Sequence, residues 1–517
     1  MFPLSLKTAA IIPLSLILPI AAYAQEAEPA PDEEAPAEEA AAEEAPAAEA
    51  SASAEVSVTP PAVDVEPAPA VEPAPEAEPP VVEAEPAPVV EEAPVEEAAA
   101  EEAPAEEEPP APSLLPLKVG THTWSRFEWR QNYDELGVSR ARFIEGDRTF
   151  YRARLTFETN PLQLTDKLKG TMYFAPQATG VWGTGPGGGT IGETALGIYQ
   201  GYFKIASDTL AVKVGRFEMK YGDVLMIGNL DWHQSGRAFD GAHVSYKAGK
   251  ALIDGFITQT GEGGPGVSKP FMGGDNYFWG LYAQLGGLIA EGMNLDLYAL
   301  GKSAAATDVA VDDTDPTLGT THVDGATFVT LGARAKQKIG MFDYRAEAGV
   351  QVGKTPSGSD ALSKLAYQGD IEFGVSPMAG TRISLGGAIA SGDGDGADDK
   401  NNAWDELYPT THKWFGLMDV IGFRTNIASG SLRFKTKLAK STILKMDGHV
   451  FARLEEPSLG RNGDSDFAGV EIDTNVVQKF GKFGYARGMY GIFLANKDHY
   501  GTALAAHYIA LQGGLKF

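Results

Sequence analysis

The stretch Thr149–Thr159, TFYRARLTFET, decides how the chain reads. Tyr151, Ala153, Leu155 and Phe157 occupy one parity, and Arg152, Arg154, Thr156 and Glu158 the other. A period of two over eleven residues describes an extended strand with one apolar and one charged face. The same pattern returns down the chain. In SLRFKTKLA, Leu432, Phe434, Thr436 and Leu438 oppose Arg433, Lys435 and Lys437. In FDYRAEAGVQVG, Phe342, Tyr344, Ala346, Ala348 and Val350 oppose Asp343, Arg345, Glu347 and Gln351. These runs are long for a soluble sandwich, and their connections alternate between short and long. Short turns fall near residues 160–165, 207–208, 248–250, 286–292, 339–341, 378–381, 439–441 and 481–482, with Gly/Asp-rich loops between them. Eight short turns on one side imply nine hairpins. The expected fold is therefore all-β: an 18-stranded antiparallel transmembrane β-barrel, closed because an open sheet edge in lipid would strand backbone polar groups.

Composition divides the 517 residues into three parts. Residues 1–24, with Lys7 followed by an apolar run ending Ala22-Tyr23-Ala24, read as a secretory signal peptide. Residues 25–112 are almost wholly Ala, Glu, Pro and Val, with 27 acids, 19 prolines and no Lys, Arg, Gly or aromatic residue. Lacking groups to bury and repelling itself, this acidic tail is expected to stay disordered in the periplasm, stiffened by proline to a reach of ~270 Å. The chain's formal charge is −28, so removing the tail and Lys7 leaves about −2 for residues 113–517, the expected barrel. The acidic balance thus belongs to the tail. There is no cysteine, which excludes disulfide scaffolds, Fe–S clusters and cysteine zinc sites.

The last strand, ALAAHYIALQGGLKF, alternates Ile509, Leu511, Leu515 and Phe517 against Tyr508, Gln512 and Lys516 and stops on an aromatic residue. That ending resembles strands handled by the outer-membrane assembly machinery, an expected partner alongside outer-membrane lipid. Localisation in the outer membrane of a Gram-negative bacterium follows, with no nucleic-acid partner. If the apolar faces meet lipid, the other faces line the bore. Its expected cations include Arg126, Arg152, Arg154, Arg334, Arg345, Arg433, Lys435, Arg453 and Arg487, interleaved with acids such as Glu128, Asp370, Glu471 and Asp473. Two readings stay open: the charges pair across strands to hold a wet wall, or they form a basic path for anions.

One connection is far richer in functional groups than the rest: GRFEMKYGDVLMIGNLDWHQSGRAFDG, residues 215–241. As an active site it is unconvincing. His233 and His243 are ten apart without zinc-type spacing, and Ser235 lacks a nucleophile-elbow context. No enzyme is expected. The alternation Leu210, Val212, Val214 carries Arg216 and Glu218 onto the lipid parity, so the strand must leave the membrane or bulge near Gly215. The loop then either packs on the barrel mouth or folds inward. Folding inward would bring Arg216, Glu218, Asp223, Asp231, Trp232, Arg237 and Asp240 to the constriction. Elsewhere, GDGDGADD offers Asp393, Asp395, Asp398 and Asp399 as a weak calcium candidate, and no other cofactor is expected.

The 215–241 stretch closely resembles the signature of alginate-export-type outer-membrane porins. The matching positions are Gly215, Arg216, Tyr221, Gly222, Asp223, Ile227, Gly228, Trp232, Arg237, Phe239, Asp240 and Gly241. Two further landmarks, ELYPTTHKWFGLMD (Glu406 to Asp419) and GVEID (Gly469 to Asp473), are similar to that family as well. One departure stands out: Leu225 or Met226 occupies the place of an expected arginine. The resemblance implies passive movement of an anionic polysaccharide through an arginine-lined constriction. The expected function is passive diffusion of anionic or polar carbohydrate, small or polymeric. The alternatives are a non-selective general porin, or an envelope tether whose acidic tail binds a periplasmic or cell-wall partner.

Overall fold

In a computed structural model the protein is described at residues 117–137, 145–183, 195–261, 275–310, 320–357, 360–455 and 465–517. The expected leader and acidic tail, and most of the Gly-rich runs near 184–194 and 262–274, lie outside the described residues. The barrel begins with β1 (Leu117–Gln131), β2 (Gly146–Thr159), β3 (Lys169–Val181), β4 (Ala195–Ala206), β5 (Leu210–Phe217) and β6 (Phe239–Ala248). It continues through β7 (Ala251–Gly261), β8 (Asn276–Gln284), β9 (Asn294–Ala304), β10 (Ala326–Ile339), β11 (Phe342–Ser357) and β12 (Asp360–Met378). It ends with β13 (Thr381–Ala390), β14 (Ile427–Ala439), β15 (Thr442–Ala452), β16 (Phe467–Phe480), β17 (Gly484–Ala495) and β18 (Ala505–Lys516).

Each strand pairs antiparallel with its neighbour in sequence, and β1 pairs with β18 from His122↔Lys516 to Gln131↔His507. The sheet is closed. Its other two members are two-residue pieces, Leu162–Gln163 and Lys400–Asn401. The connections at 207–209, 249–250, 340–341, 379–380, 440–441 and 481–483 are short and share one end, which is the periplasmic end of such a barrel. Most long connections leave the other end, although β11 and β12 are joined there across 358–359 alone.

Burial is inverted relative to a soluble protein. Leu155, Leu331, Phe373, Leu432 and Leu511 are exposed on the outer wall, while Arg152, Glu128, Arg345 and Glu471 are buried inside. In lipid this satisfies both sets: the leucines meet hydrocarbon and the charges face one another. The last residue is part of the seam, since the Phe517 carbonyl accepts from the Thr121 N–H at 2.9 Å.

The interior departs from the expected charged, open bore. The inward residues Phe256, Phe278, Tyr282, Tyr298 and Leu300 of β7, β8 and β9 are apolar or aromatic and buried. These strands are thus largely apolar on both faces, which strict alternation cannot anticipate. Their partners come from two long connections, 218–238 and 391–426, which fold into the barrel. Met219, Tyr221, Met226, Ile227, Leu407, Phe415 and Met418 from these loops join the wall aromatics in one core.

Candidate pore constriction

The 218–238 loop starts at a kink that its sequence requires. Gly215 has φ +127°, and a Cβ there would meet the Gly201 carbonyl oxygen. Alternation persists through the kink. Arg216 and Asp240 point outward and pair with each other at 2.6 Å, both well exposed, while Phe217 turns in and is fully buried. The two charged residues therefore stand apart from the inward group with which the sequence associates them. The chain turns inward only after Phe217, and the bore side of the outer pair is taken by apolar packing.

The remaining loop residues sit inside and are held by the wall. Glu218 accepts from Tyr199 Oη at 2.9 Å and from Asn229 Nδ2 at 2.8 Å, and pairs with Lys220. Asp223 binds Arg334 at 2.6 Å and Lys336 at 3.0 Å. Burial pushes its carboxyl upward, but the two cations outweigh burial and bring it down to about 2. Asp231 binds Arg152 at 2.8 Å; burial pushes its carboxyl upward, but Arg152, with His122 and Arg154 beside it, outweighs burial and holds the carboxyl below its ordinary value. The Trp232 ring lies between the Arg126 guanidinium, 3.7 Å from its centroid, and the His412 ring, stacked at 4.1 Å and 9°. Arg126 also donates to the Trp232 carbonyl at 2.8 Å. Arg154 binds Gln177 at 2.8 Å and reaches the Ser235 carbonyl at 3.5 Å, while Arg237 donates to the Pro409 carbonyl at 2.9 Å. Much of the arginine set inferred for the lumen therefore grips this loop.

In the second loop, 391–426, the sequence showed a Gly/Asp-rich connection and a family landmark, Glu406 to Asp419, but not that it folds inward. Its backbone pairs with the first: Gly228 N–H donates to the Tyr408 carbonyl at 2.8 Å, and Tyr408 N–H to Met226 at 3.0 Å. Arg424 binds the wall carboxylate Asp370 at 2.7 Å. The third landmark holds the same loop, since Asp473 accepts from Leu417 N–H and Glu471 from Met418 N–H. The three landmark stretches thus meet in one place inside the barrel. Leu225 and Met226, where an arginine was expected, are buried in the shared core. Arg453 donates to the Thr425 carbonyl at 3.3 Å, and Arg487 lies 6.0 Å from the Trp232 ring.

On the periplasmic side of the loops lies a cavity of about 690 Å³. Lys336, Lys338, Arg345, Arg382, Lys413, Arg433, Lys435 and Lys445 line it, against the acids Asp223, Asp343, Glu372 and Asp447. Several of these cations are committed. Arg345 pairs with Asp370, and Arg382 with Glu372 at 2.7 Å and with Asp343. Lys435 and Lys445 are not: they face each other across β14 and β15, and neither makes an ion pair among the described residues. Lys413 donates to the Asp223 carbonyl at 3.0 Å and sits 4.5 Å from the centroid of the Trp414 ring.

The calcium candidate serves its own loop. Asp393, Asp395 and Asp398 accept from the backbone N–H groups of Asn402, Ala397 and Lys400, and the Asp399 carbonyl accepts from Ser363. Among the described residues no group of three or more His, Cys, Asp or Glu side chains is placed to hold a metal ion.

The family profile described as alginate export matches residues 195–458, slightly more than half of the chain and the segment that carries both inbound loops. The chain belongs to the alginate export family. No curated protein matches it. Among solved structures, Pseudomonas aeruginosa OccK1 (OpdK) is similar with a TM-score of 0.53 at 11% identity, covering 78% of this chain and 99% of that one. Pseudomonas aeruginosa OccD3 (OpdP) gives 0.52 at 10%, covering 78% and 91%, and Acinetobacter baumannii OccAB4 gives 0.52 at 10%, covering 79% and 100%. At such identities the likeness is one of fold. This alginate export family member is an outer-membrane β-barrel of porin type, and its family is one of channels rather than enzymes.

Proposed function

We propose that the barrel gives passive passage to anionic or polar carbohydrate, small or polymeric. The observation that carries this reading is the pair Lys435 and Lys445, uncommitted cations facing each other in the cavity beneath the loops. A cation already bound to a carboxylate adds little to the local potential, whereas an unpaired one in a confined bore lowers the barrier for anions. Arg487 and Lys413 extend this path toward Trp232 and Trp414. The crystal structure of Pseudomonas aeruginosa OpdK with vanillate, an aromatic carboxylate, offers support by analogy of fold at 11% identity, with a TM-score of 0.52 over 78% of this chain and 99% of that one.

The test is the reversal potential of the purified protein in planar bilayers under asymmetric potassium chloride. Anion preference is expected, with at least a twofold to threefold drop in the anion-to-cation permeability ratio in Lys435→Gln/Lys445→Gln (on the order of 0.5 kcal/mol in barrier difference). Equal permeability to both ions in the unaltered protein would instead support a general porin.

A further inference from the structure

Strand β16 brings Glu471 and Asp473 to one inward face, 0% and 2% exposed. Each offers one oxygen to the backbone of the 391–426 loop: Glu471 Oε1 accepts from Met418 N–H at 2.9 Å, and Asp473 Oδ2 from Leu417 N–H at 3.0 Å. The other oxygens, Glu471 Oε2 and Asp473 Oδ1, receive no N–H or O–H from any other described residue, and the two carboxyls lie within hydrogen-bonding reach of each other. Neither carboxyl makes an ion pair there with a lysine or arginine. The loop is pressed tightly onto them: Gly416, with φ +88°, lies where any Cβ would overlap the Glu471 carboxyl.

The surroundings add little positive charge. Asp447 on β15 is opposite Asp473, and His449 is opposite Glu471. On β17 the opposing residues are Gly491 and Phe493. From the loop come Asp419 and His412, joined at 2.9 Å. Tyr133, in the 132–145 connection, donates to the Met418 carbonyl at 3.0 Å, and Tyr500 lies beyond it in the Lys497–Tyr500 helical turn. Tyr508 on β18 packs under Arg130, which is bound to Glu128. Arg433 on β14 faces Asp447. Four carboxyls thus gather where the loop docks.

Two buried like charges side by side do not both ionise without large cost, and a proton shared between them relieves it. The contact between the two carboxyls is where such a proton fits. We propose that Glu471 and Asp473 form a proton-operated latch: with the shared proton they clamp residues 416–418 and keep the bore closed, and on losing it they release the loop. The latch regulates the pore proposed above and therefore rests on that reading. Its sign is set by charge. Deprotonation leaves two adjacent buried carboxylates, whose repulsion is relieved by water entry and departure of the loop. Opening is favoured as pH rises, by at most about tenfold in the open-to-closed ratio per pH unit for one proton.

Single-channel conductance of the full-length protein, followed from about pH 5 to about pH 9, tests this. Conductance is expected to rise with pH in the unaltered protein. Glu471→Gln combined with Asp473→Asn keeps both acceptors but cannot ionise, so it should stay in the low-conductance state throughout. Gly416→Ala drives a methyl group into Glu471 and should conduct at every pH. Hydrogen exchange of residues 411–426, corrected for its intrinsic pH dependence, should follow the same order. Coincident pH curves for the unaltered protein and the double variant would overturn the latch. If Gly416→Ala conducts while the unaltered protein ignores pH, the latch alone fails. If no variant conducts at any pH, the pore reading fails, and the latch is then judged by exchange: a segment equally protected at all pH values overturns it.

Discussion

Lys413 shows how strongly the role of one side chain depends on its partners. Burial lowers its affinity for a proton, and Arg345, Lys336 and Arg433 add to that against the pull of Asp223, bringing its pKa to about 8. It is therefore charged below about pH 8 and neutral above. The anion-to-cation permeability ratio should fall between about pH 7 and about pH 9, and Lys413→Gln should remove that step. Because Lys413 sits on the loop that the latch would release, the step is read in the Glu471→Gln/Asp473→Asn background, where the loop is held docked at every pH. Asp223, held near 2 by Arg334 and Lys336, stays ionised throughout. At this scale the sequence discriminated only partly. Arg216 and Arg237 look alike in the 215–241 stretch, and both were grouped with the inward set; nothing local marked Arg216 as a partner of exposed Asp240 or Arg237 as a partner of Pro409, 172 positions away.

The two inbound loops show what element-level patterns carry. Gly215 is the hinge between wall and loop, and its φ of +127° and closeness to Gly201 leave no room for a side chain. Gly215→Ala should cost on the order of 1–3 kcal/mol and reduce the yield of folded barrel, measured as the heat-modifiable band on gels after refolding into detergent. Strand ends and short turns were readable because period-two alternation and turn residues act locally. The interiors of β7 to β9 were not, because aromatic residues on the bore side make sense only once loop residues such as Tyr221 and Met226 are packed against them.

For the whole molecule, the inverted burial pattern sets stability. A charge introduced on the outer wall has no partner and faces hydrocarbon, so Leu432→Arg should cost about 2–4 kcal/mol. Urea titration of the barrel in lipid vesicles, followed by tryptophan fluorescence, measures this. A shift smaller than about 0.5 kcal/mol would mean that this face of β14 does not meet the membrane interior.

By itself the sequence determined the wall: eighteen strands, their two faces, their short and long ends and the closing strand at Phe517. These follow from the pleat, which sends alternate residues to opposite sides whatever their distant neighbours do. The interior was decided only by the tertiary structure. Whether Arg152 meets a solute or Asp231, whether Lys445 finds a carboxylate, and whether Glu471 and Asp473 share a loop depend on two connections far apart in sequence that fold into the same bore. Charge, burial and hydrogen bonding there are properties of that meeting and of no single stretch.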